Sequence, residues 1–93
     1  MKVTYDRDKR LRTLKERGLD FEDAPQVLSG FHFTQPDLRT DYGEDREITV
    51  GILNDTVVVM VWTERDDSHR IISMRKADRD ERERYFKEVD RPG

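Results

Sequence analysis

Three consecutive segments in the second half of the chain have the hydrophobic pattern of β-strands. Residues 47–52 alternate between polar and apolar side chains, residues 57–62 are continuously apolar, and residues 69–75 form a further strand. Turn-forming residues separate them at 54–55 and 66–68. Short connections between consecutive strands predict an antiparallel meander, with 57–62 as its central strand, buried on both faces.

The first third of the chain has the signals of two helices. Residues 6–17 begin at an aspartate suited to cap a helix, place Leu11 and Leu14 on one face, and end before a glycine. Residues 21–29 also follow an aspartate, and Gly30 closes them. These signals predict a longer and a shorter helix before the strands begin.

A third helix is predicted at the end of the chain. Asp78 and Glu81 have the spacing of a capping box, and the helix they open reaches about Val89 with Tyr85 and Phe86 in its apolar stripe. A short alternating strand at 31–34 and a polar loop at 37–45 complete the pattern.

The predicted order is therefore α-α-β-β-β-β-α. This is an α+β fold in which helices pack mainly on one face of a central antiparallel sheet. No repeat or linker interrupts residues 1–93, so we expect one domain.

Composition adds that the core is thin. Only 33% of the 93 residues are hydrophobic, and 42% are charged. A short chain with so small a core is marginally stable, and a partner that binds only the folded state stabilises it by mass action. We therefore expect the protein to act within a complex.

Charge is unevenly distributed along the chain, although the net charge is only −3. Residues 1–17 carry a net charge of +4, residues 18–67 carry −9, and residues 68–93 carry +2. If the two basic ends meet in the fold, one surface binds phosphate and an acidic surface binds a basic partner. The alternative is a mosaic of solvated charges.

Several classes of function have no support in the sequence. There is no cysteine, the two histidines are far apart, and we expect neither a metal ion nor another cofactor. The motifs GxxxxGK(S/T), GxSxG and HExxH do not occur. No apolar segment resembles a signal peptide or is long enough to span a bilayer, so we expect a cytoplasmic protein without membrane contact.

Residues 70–77, with the sequence RIISMRKA, are the most informative segment. They combine a short apolar strand with one cation at its start and two at its end. One guanidinium group can donate two parallel hydrogen bonds to two oxygens of a phosphate, so this arrangement predicts a surface that binds a polyanion.

This octapeptide also resembles the signature of the BrnT family, the ribonuclease toxins of type II toxin–antitoxin systems. The likeness continues in Tyr5-Asp6-x-x-Lys9, Gly18-Leu19-x-Phe21-Glu22-x-Ala24, Gly43-Glu44-x-Arg46, Thr63-Glu64-Arg65 and the helix around Glu81 and Tyr85. The chain departs from the family at Thr13, where an asparagine is common, at Arg17, which replaces a histidine, and at Pro25.

The resemblance implies a fold like that of the RelE ribonucleases and an RNA substrate. It further implies that a BrnA-like antitoxin neutralises the toxin in a higher-order complex, and that the toxin inhibits translation and growth until then. Contact with DNA would be indirect, through the antitoxin.

RNA cleavage without a metal requires positive charge to stabilise the phosphorane. Candidates for this catalytic role are Arg65, Arg70 and Arg75, and candidates for substrate binding are Lys9, Arg46, Lys76 and His69. Arg65 and Arg70 flank one turn and are predicted to form the inner cationic pair. Arg70 and Arg75 share a face only if the strand ends before Arg75 or contains a bulge.

The acid and the base are left open by the sequence. Glu64 and Tyr85 are candidates, and so is His69 beside the proposed cations, because histidine is the side chain most often used as a general base. Each also has a structural explanation: an ion pair for Glu64, core packing for Tyr85, and an exposed turn for His69.

A second function fits the same charges. The chain could be a non-enzymatic interaction module whose cationic face binds a protein partner. A separate, purely structural explanation of the arginines is that they form surface ion pairs with Glu44, Glu47 and Glu64.

Overall fold

The computed structural model describes residues 1–91; Pro92, predicted to follow the last helix, and Gly93 lie outside the described residues. The elements in chain order are β1 (Val3–Tyr5), α1 (Arg7–Arg17), a 3₁₀ helix (Phe21–Asp23), α2 (Ala24–Ser29), β2 (His32–Pro36), β3 (Glu47–Leu53), β4 (Thr56–Arg65), β5 (Ser68–Lys76) and α3 (Arg79–Val89). No helix within residues 1–91 is both long and apolar enough to cross a membrane.

Strand β4 lies at the centre of a five-stranded sheet with the order β1-β5-β4-β3-β2. It pairs antiparallel with β3 and β5, and β2 pairs antiparallel with β3. Both turns beside β4 have two residues at positive φ, Asn54 and Asp55 at 49° and 66°, and Asp66 and Asp67 at 52° and 61°. Such turns match the twist of the strands they connect. The predicted meander and its central strand are confirmed.

The prediction that the chain opens with a helix and that the sheet is entirely antiparallel is wrong. Residues 3–5 form an edge strand that runs parallel to β5, with Val3 opposite His69. Three residues are too few to show an alternating pattern, so only the tertiary pairing reveals this strand. The sheet is therefore mixed.

The helices cover both faces of the sheet, which corrects the expectation that they pack mainly on one. Val58 and Met60 of β4 belong to a core cluster with the 3₁₀ helix and α2, whereas Val57 and Val59 pack with Tyr85 of α3. Because neighbouring side chains on a strand point to opposite faces, β4 contributes to both clusters.

Glycine in β3 allows α2 to approach the sheet closely. A Cβ atom at Gly51 would lie 2.7 Å from Val27 Cγ1 and 3.2 Å from the Val27 carbonyl oxygen. Any larger residue would push α2 away from the sheet, so this position is reserved for a residue without a side chain.

Helix α1 has no buried side chain, and its predicted apolar face is exposed, with Leu11 at 47% and Leu14 at 39%. Polar contacts hold it instead. Arg10 donates two hydrogen bonds to the Asp20 carboxylate at 2.8 and 3.0 Å, and Arg17 donates one to the Met74 carbonyl oxygen at 2.9 Å.

Candidate active site

A β-bulge in β5 determines which side chains this strand presents to each face of the sheet. Val61 lies opposite Ser73 but Trp62 lies opposite Ile71, so residue 72 has no partner on β4. A bulge inserts one extra residue and therefore reverses the alternation of side chains beyond it.

The bulge brings two of the predicted arginines onto one face. Arg70 lies opposite Thr63, and Arg75 lies opposite Val59. Thr63 and Val59 are four positions apart on β4, an even number, and so point to the same face. The condition that the sequence set for a shared face is met. Four positions along β4 still separate the two arginines, which is about 13 Å of strand.

On this face, helix α3 leaves part of the sheet uncovered and a cleft of about 260 Å³ remains. Its floor is apolar and is formed by Ile48, Val50, Val59 and Val61. The residues around the rim of this floor are polar or charged, namely Gln35, Arg39, Ser73, Arg75, Glu81 and Arg84, with Phe33 beside them. The cleft thus combines an apolar surface with three guanidinium groups.

Arg75 is held in the cleft by a carboxylate of α3. Its guanidinium donates two hydrogen bonds to Glu81, at 2.7 and 2.9 Å. These bonds lower the pKa of Glu81 to about 2, from an ordinary value of 4.5, and raise the pKa of Arg75. Glu81 also accepts a hydrogen bond from the main-chain N–H group of Asp78, the N-cap of α3. The capping box therefore fixes the position of the Glu81 carboxylate.

Arg39 is held in the same way by Asp37. Two hydrogen bonds of 2.8 and 2.7 Å join the guanidinium to the buried carboxylate. They lower the pKa of Asp37 to about 2. The loop after β2 is therefore anchored by an ion pair that places a second guanidinium at the cleft.

Arg84 is the third cation of the cleft and differs from the other two. Its guanidinium carbon lies 4.8 Å from the centre of the Phe33 ring. Among the described residues no carboxylate lies within ion-pairing distance of it. This charge is therefore not neutralised within the chain, as far as residues 1–91 show.

Comparison with protein families decides what kind of protein has this cleft. A family model described as the ribonuclease toxin BrnT of type II toxin–antitoxin systems matches residues 5–81. The chain belongs to the BrnT family. Among curated proteins, none matches it. The family is one of ribonuclease toxins, and segment 70–77, which suggested it, supplies Arg70 and Arg75 to the face that carries the cleft.

Around Asp6, the structure brings Arg70 close to Lys9, a further cation predicted for this BrnT family site. Hydrogen bonds from the main-chain N–H groups of residues 8 and 9 hold Asp6 as the cap of α1. The N–H bond from Lys9 lowers the pKa of Asp6 most, and the charges of Arg70 and Lys9 lower it further. Both cations therefore lie near one carboxylate at the β1–α1 junction.

Arg46 and Arg65 meet at a different carboxylate. Glu44 accepts hydrogen bonds from Arg65 at 2.8 Å and from Arg46 at 3.1 Å, which lower its pKa. The Arg46 guanidinium also lies 4.1 Å from the centre of the Tyr42 ring. Neither arginine lines the cleft. The pairing of Arg65 with Glu44 agrees with the ion-pair alternative from the sequence.

The remaining predicted residues lie away from the cleft. Lys76 is opposite Val58 and therefore points to the α2 face of the sheet. On that same face, His69 stacks on Trp62 with ring centres 4.5 Å apart and is opposite Glu64. The structure does not bring Lys76 and His69 together with Arg70 and Arg75, and their assignment to the site stays a prediction.

Tyr85 is on the face of α3 that packs against the sheet, and it does not line the cleft. It is 3% exposed, its hydroxyl group donates a hydrogen bond to the Phe31 carbonyl oxygen at 3.0 Å, and burial raises its pKa. This is the packing role that the sequence offered as the alternative to catalysis.

Sequence reasoning missed four residues of the cleft: Gln35, Arg39, Glu81 in its contact with Arg75, and Arg84. Helical spacing was an available signal for two of them, because Glu81, Arg84 and Tyr85 fall on one face of α3. No comparable pattern marks Arg39, which lies in a loop. Within residues 1–91, no group of three or more histidine, aspartate or glutamate side chains is arranged to hold a metal ion.

Proposed function

We propose that this chain is a metal-independent endoribonuclease toxin whose cleft binds the scissile phosphate of RNA. The supporting observation is the bulge in β5, which turns Arg70 and Arg75 to the face where Arg39 and Arg84 also lie. Guanidinium groups supply in this cleft the positive charge that a metal ion supplies in other nucleases.

The phosphate would take the place of Glu81 on Arg75. A carboxylate and a phosphate present the same pair of oxygens to a guanidinium, so the two compete for one bidentate site. Because Arg75 is already oriented by α3, little reorganisation is needed when the phosphate binds. Arg84, which has no carboxylate partner in the described chain, adds positive charge to the cleft from its place against Phe33.

Glu81 is the candidate we favour for accepting the proton of the RNA 2′-hydroxyl group. With its pKa at about 2 it is a weak base. Once Arg75 binds phosphate, the hydrogen bonds that lower this pKa are lost, and the carboxylate becomes more basic beside the substrate. Glu64, the candidate from the sequence, lies on the opposite face, so the two glutamates can be tested against each other.

A BrnA-like antitoxin is the partner we propose, acting in the cytoplasm on a toxin of one RelE-like domain. The antitoxin would cover the cleft or the neighbouring acidic region 37–47, join toxins into a higher-order complex, and make the only contact with DNA. Leu38, 87% exposed next to Arg39, offers an apolar contact at this rim. Covering the cleft would prevent RNA cleavage and relieve the inhibition of translation.

The activity is tested with purified protein and a structured RNA in excess EDTA. We expect cleavage that EDTA does not reduce, and induction of the chain in a bacterium should stop growth and bulk protein synthesis. Loss of cleavage in EDTA that added metal restores would overturn the metal-independent mechanism. Partner binding with no cleavage under any condition would instead support the interaction module.

The partner is tested by thermal unfolding of the toxin with and without the antitoxin. At one hundred times the dissociation constant, a ligand specific for the folded state stabilises by about 2.7 kcal/mol. For a domain of this size, that corresponds to a rise in the midpoint of about 10 °C or more. An unchanged midpoint at saturating partner would contradict the proposal.

A further inference from the structure

The cleft has a polarity that the binding of a phosphate alone does not explain. Two rows of side chains run across four strands: Gln35, Ile48, Val61 and Ser73 in one row, and Phe33, Val50, Val59 and Arg75 in the other. In each row, the two central positions are aliphatic, and the position on β5 is polar or cationic. Within these two rows, only the β5 end carries a cation.

The end on β2 has the chemistry of a base-binding surface. Gln35 is exposed, and its amide makes no hydrogen bond within the described residues, although it lines the cleft. Beside it, the Arg84 guanidinium lies against the Phe33 ring. Proteins that bind unpaired RNA stack bases on aromatic rings or guanidinium planes and hydrogen-bond the base edge with side-chain amides.

The spacing fits one nucleotide. Strands β2 and β5 are three strand spacings apart, about 14 Å between backbones, and the side chains of Gln35 and Arg75 narrow this span from both sides. The aliphatic floor between Gln35 and Arg75 can contact the face of a base, and the Arg75 end can bind the phosphate of the same nucleotide.

We propose that the cleft is a one-nucleotide subsite in which Gln35 reads the base next to the phosphate held by Arg75. The ligand class is an unpaired nucleotide of RNA, and Gln35 is a specificity-determining residue. This inference rests on the proposed function, because it assumes that RNA enters this cleft.

Binding can be measured without cleavage. Short 2′-O-methyl homo-oligomers of A, C and U lack the nucleophile, and fluorescence anisotropy gives their affinities. Because one good amide–base contact discriminates by about 1–3 kcal/mol, we expect the parent protein to prefer one base by about tenfold. Gln35→Leu should reduce the preference to about twofold or less and leave the mean affinity within about threefold, since the arginine contacts remain.

Gln26→Leu is the matched control, because the only other glutamine of the chain is exposed on α2 and does not line the cleft. It should keep the parent preference. Arg84→Lys retains the positive charge but replaces the planar guanidinium group, on which a base can stack, with an ammonium group. It should weaken the binding of all three oligomers by a similar factor.

Equal binding of the three oligomers by the parent, or a preference that survives Gln35→Leu, would overturn the subsite. The outcomes separate it from the nuclease activity. Cleavage of ordinary RNA without base preference removes the subsite and leaves the nuclease, whereas a preference that depends on Gln35 in a protein that cuts no RNA supports the subsite and removes the nuclease.

Discussion

The two faces of the sheet are built differently around the same central strand. On the α2 side, Met60 and Val58 are fully buried under the 3₁₀ helix and α2. On the α3 side, Val59 packs with Tyr85, but Val61 and Ile48 form the floor of an open cleft. One face stabilises the fold, which allows the other to remain partly uncovered and available to a ligand.

Charge separates the faces as well. A second, open depression on the α2 side, at the end near the β4–β5 turn, is lined by Glu44, Asp45, Glu47, Glu64 and Asp66 with Trp62. The cleft on the α3 side contains three arginines and one glutamate that is already paired. Under the proposed function, RNA would therefore be repelled from the acidic depression and attracted to the cleft.

The largest effect on stability is expected from the covered face. Met60→Ala removes a fully buried side chain from the cluster under α2 and should lower the free energy of unfolding by about 2–5 kcal/mol. Urea unfolding followed by circular dichroism measures it. Met60 points away from the cleft, so RNA cleavage per folded molecule should be unchanged. A loss of activity greater than the loss of folded protein would break the separation of the two faces.

On the cleft side, stability should depend on acid pH. The pKa values of Glu81 and Asp37 are lowered to about 2 in the folded protein, below their ordinary values of 4.5 and 3.8. Unfolding restores the ordinary, higher pKa values, so the unfolded chain binds protons more readily than the folded one. The stability that these two carboxylates contribute is complete above about pH 4.5 and should decline as the pH falls toward 2. Thermal unfolding across this range checks it. Glu81→Gln should flatten part of the decline; an identical profile would contradict the ion pair.

Binding and cleavage should respond in opposite directions to Glu81→Gln. The amide keeps an oxygen for the Asp78 N–H group, but no longer competes for Arg75. An ion pair of this exposure contributes about 0.2–1 kcal/mol, so affinity for 2′-O-methyl RNA should rise by up to about fivefold. Cleavage should slow by about 10²–10⁴ if Glu81 is the base.

Two variants serve as controls for Glu81→Gln. Glu83→Gln removes an exposed carboxylate of the same helix that pairs with Arg79 outside the cleft, and should change neither quantity. Glu64→Gln tests the base predicted from the sequence. If it slows cleavage while Glu81→Gln does not, the assignment of Glu81 is wrong and that of Glu64 is supported.

The smallest effect is expected from α1. Leu11→Ala removes a side chain that is 47% exposed on a helix without buried residues, and should change the free energy of unfolding by no more than about 0.5 kcal/mol. The same urea experiment measures it beside Met60→Ala. A loss comparable with that of Met60→Ala would show that α1 packs more tightly than the structure describes.

Local signals predicted most of the fold. The Asp6 cap, Gly18 at φ 70°, and the capping box of Asp78 and Glu81 each occur where the sequence placed them. Tertiary contacts decided the rest. Residues 3–5 form a strand only because β5 offers an edge, and Leu11 and Leu14 have helical spacing but remain largely exposed.

The candidate site was less predictable for the same reason. The pattern of residues 70–77 identified two arginines that share one face in the structure, but alternation alone would have separated them. The unpaired residue 72 depends on the register with β4, which no local signal specifies. Arg39 and Gln35 reach the cleft through the pairing of β2 with β3, again a long-range contact.

The measurement that tests the central claim most directly compares neighbours on one strand. Arg70→Ala, Arg75→Ala and Lys76→Ala are assayed on purified RNA, with circular dichroism to confirm folding. Arg70 and Arg75 share the face of the cleft, whereas Lys76 points to the opposite face. Loss of one transition-state cation costs about 10²–10³ in rate, so we predict that reduction for each arginine variant and less than about threefold for Lys76→Ala. A folded Arg70→Ala or Arg75→Ala protein that cleaves like the parent, or a Lys76→Ala protein that loses as much as either, would contradict the account.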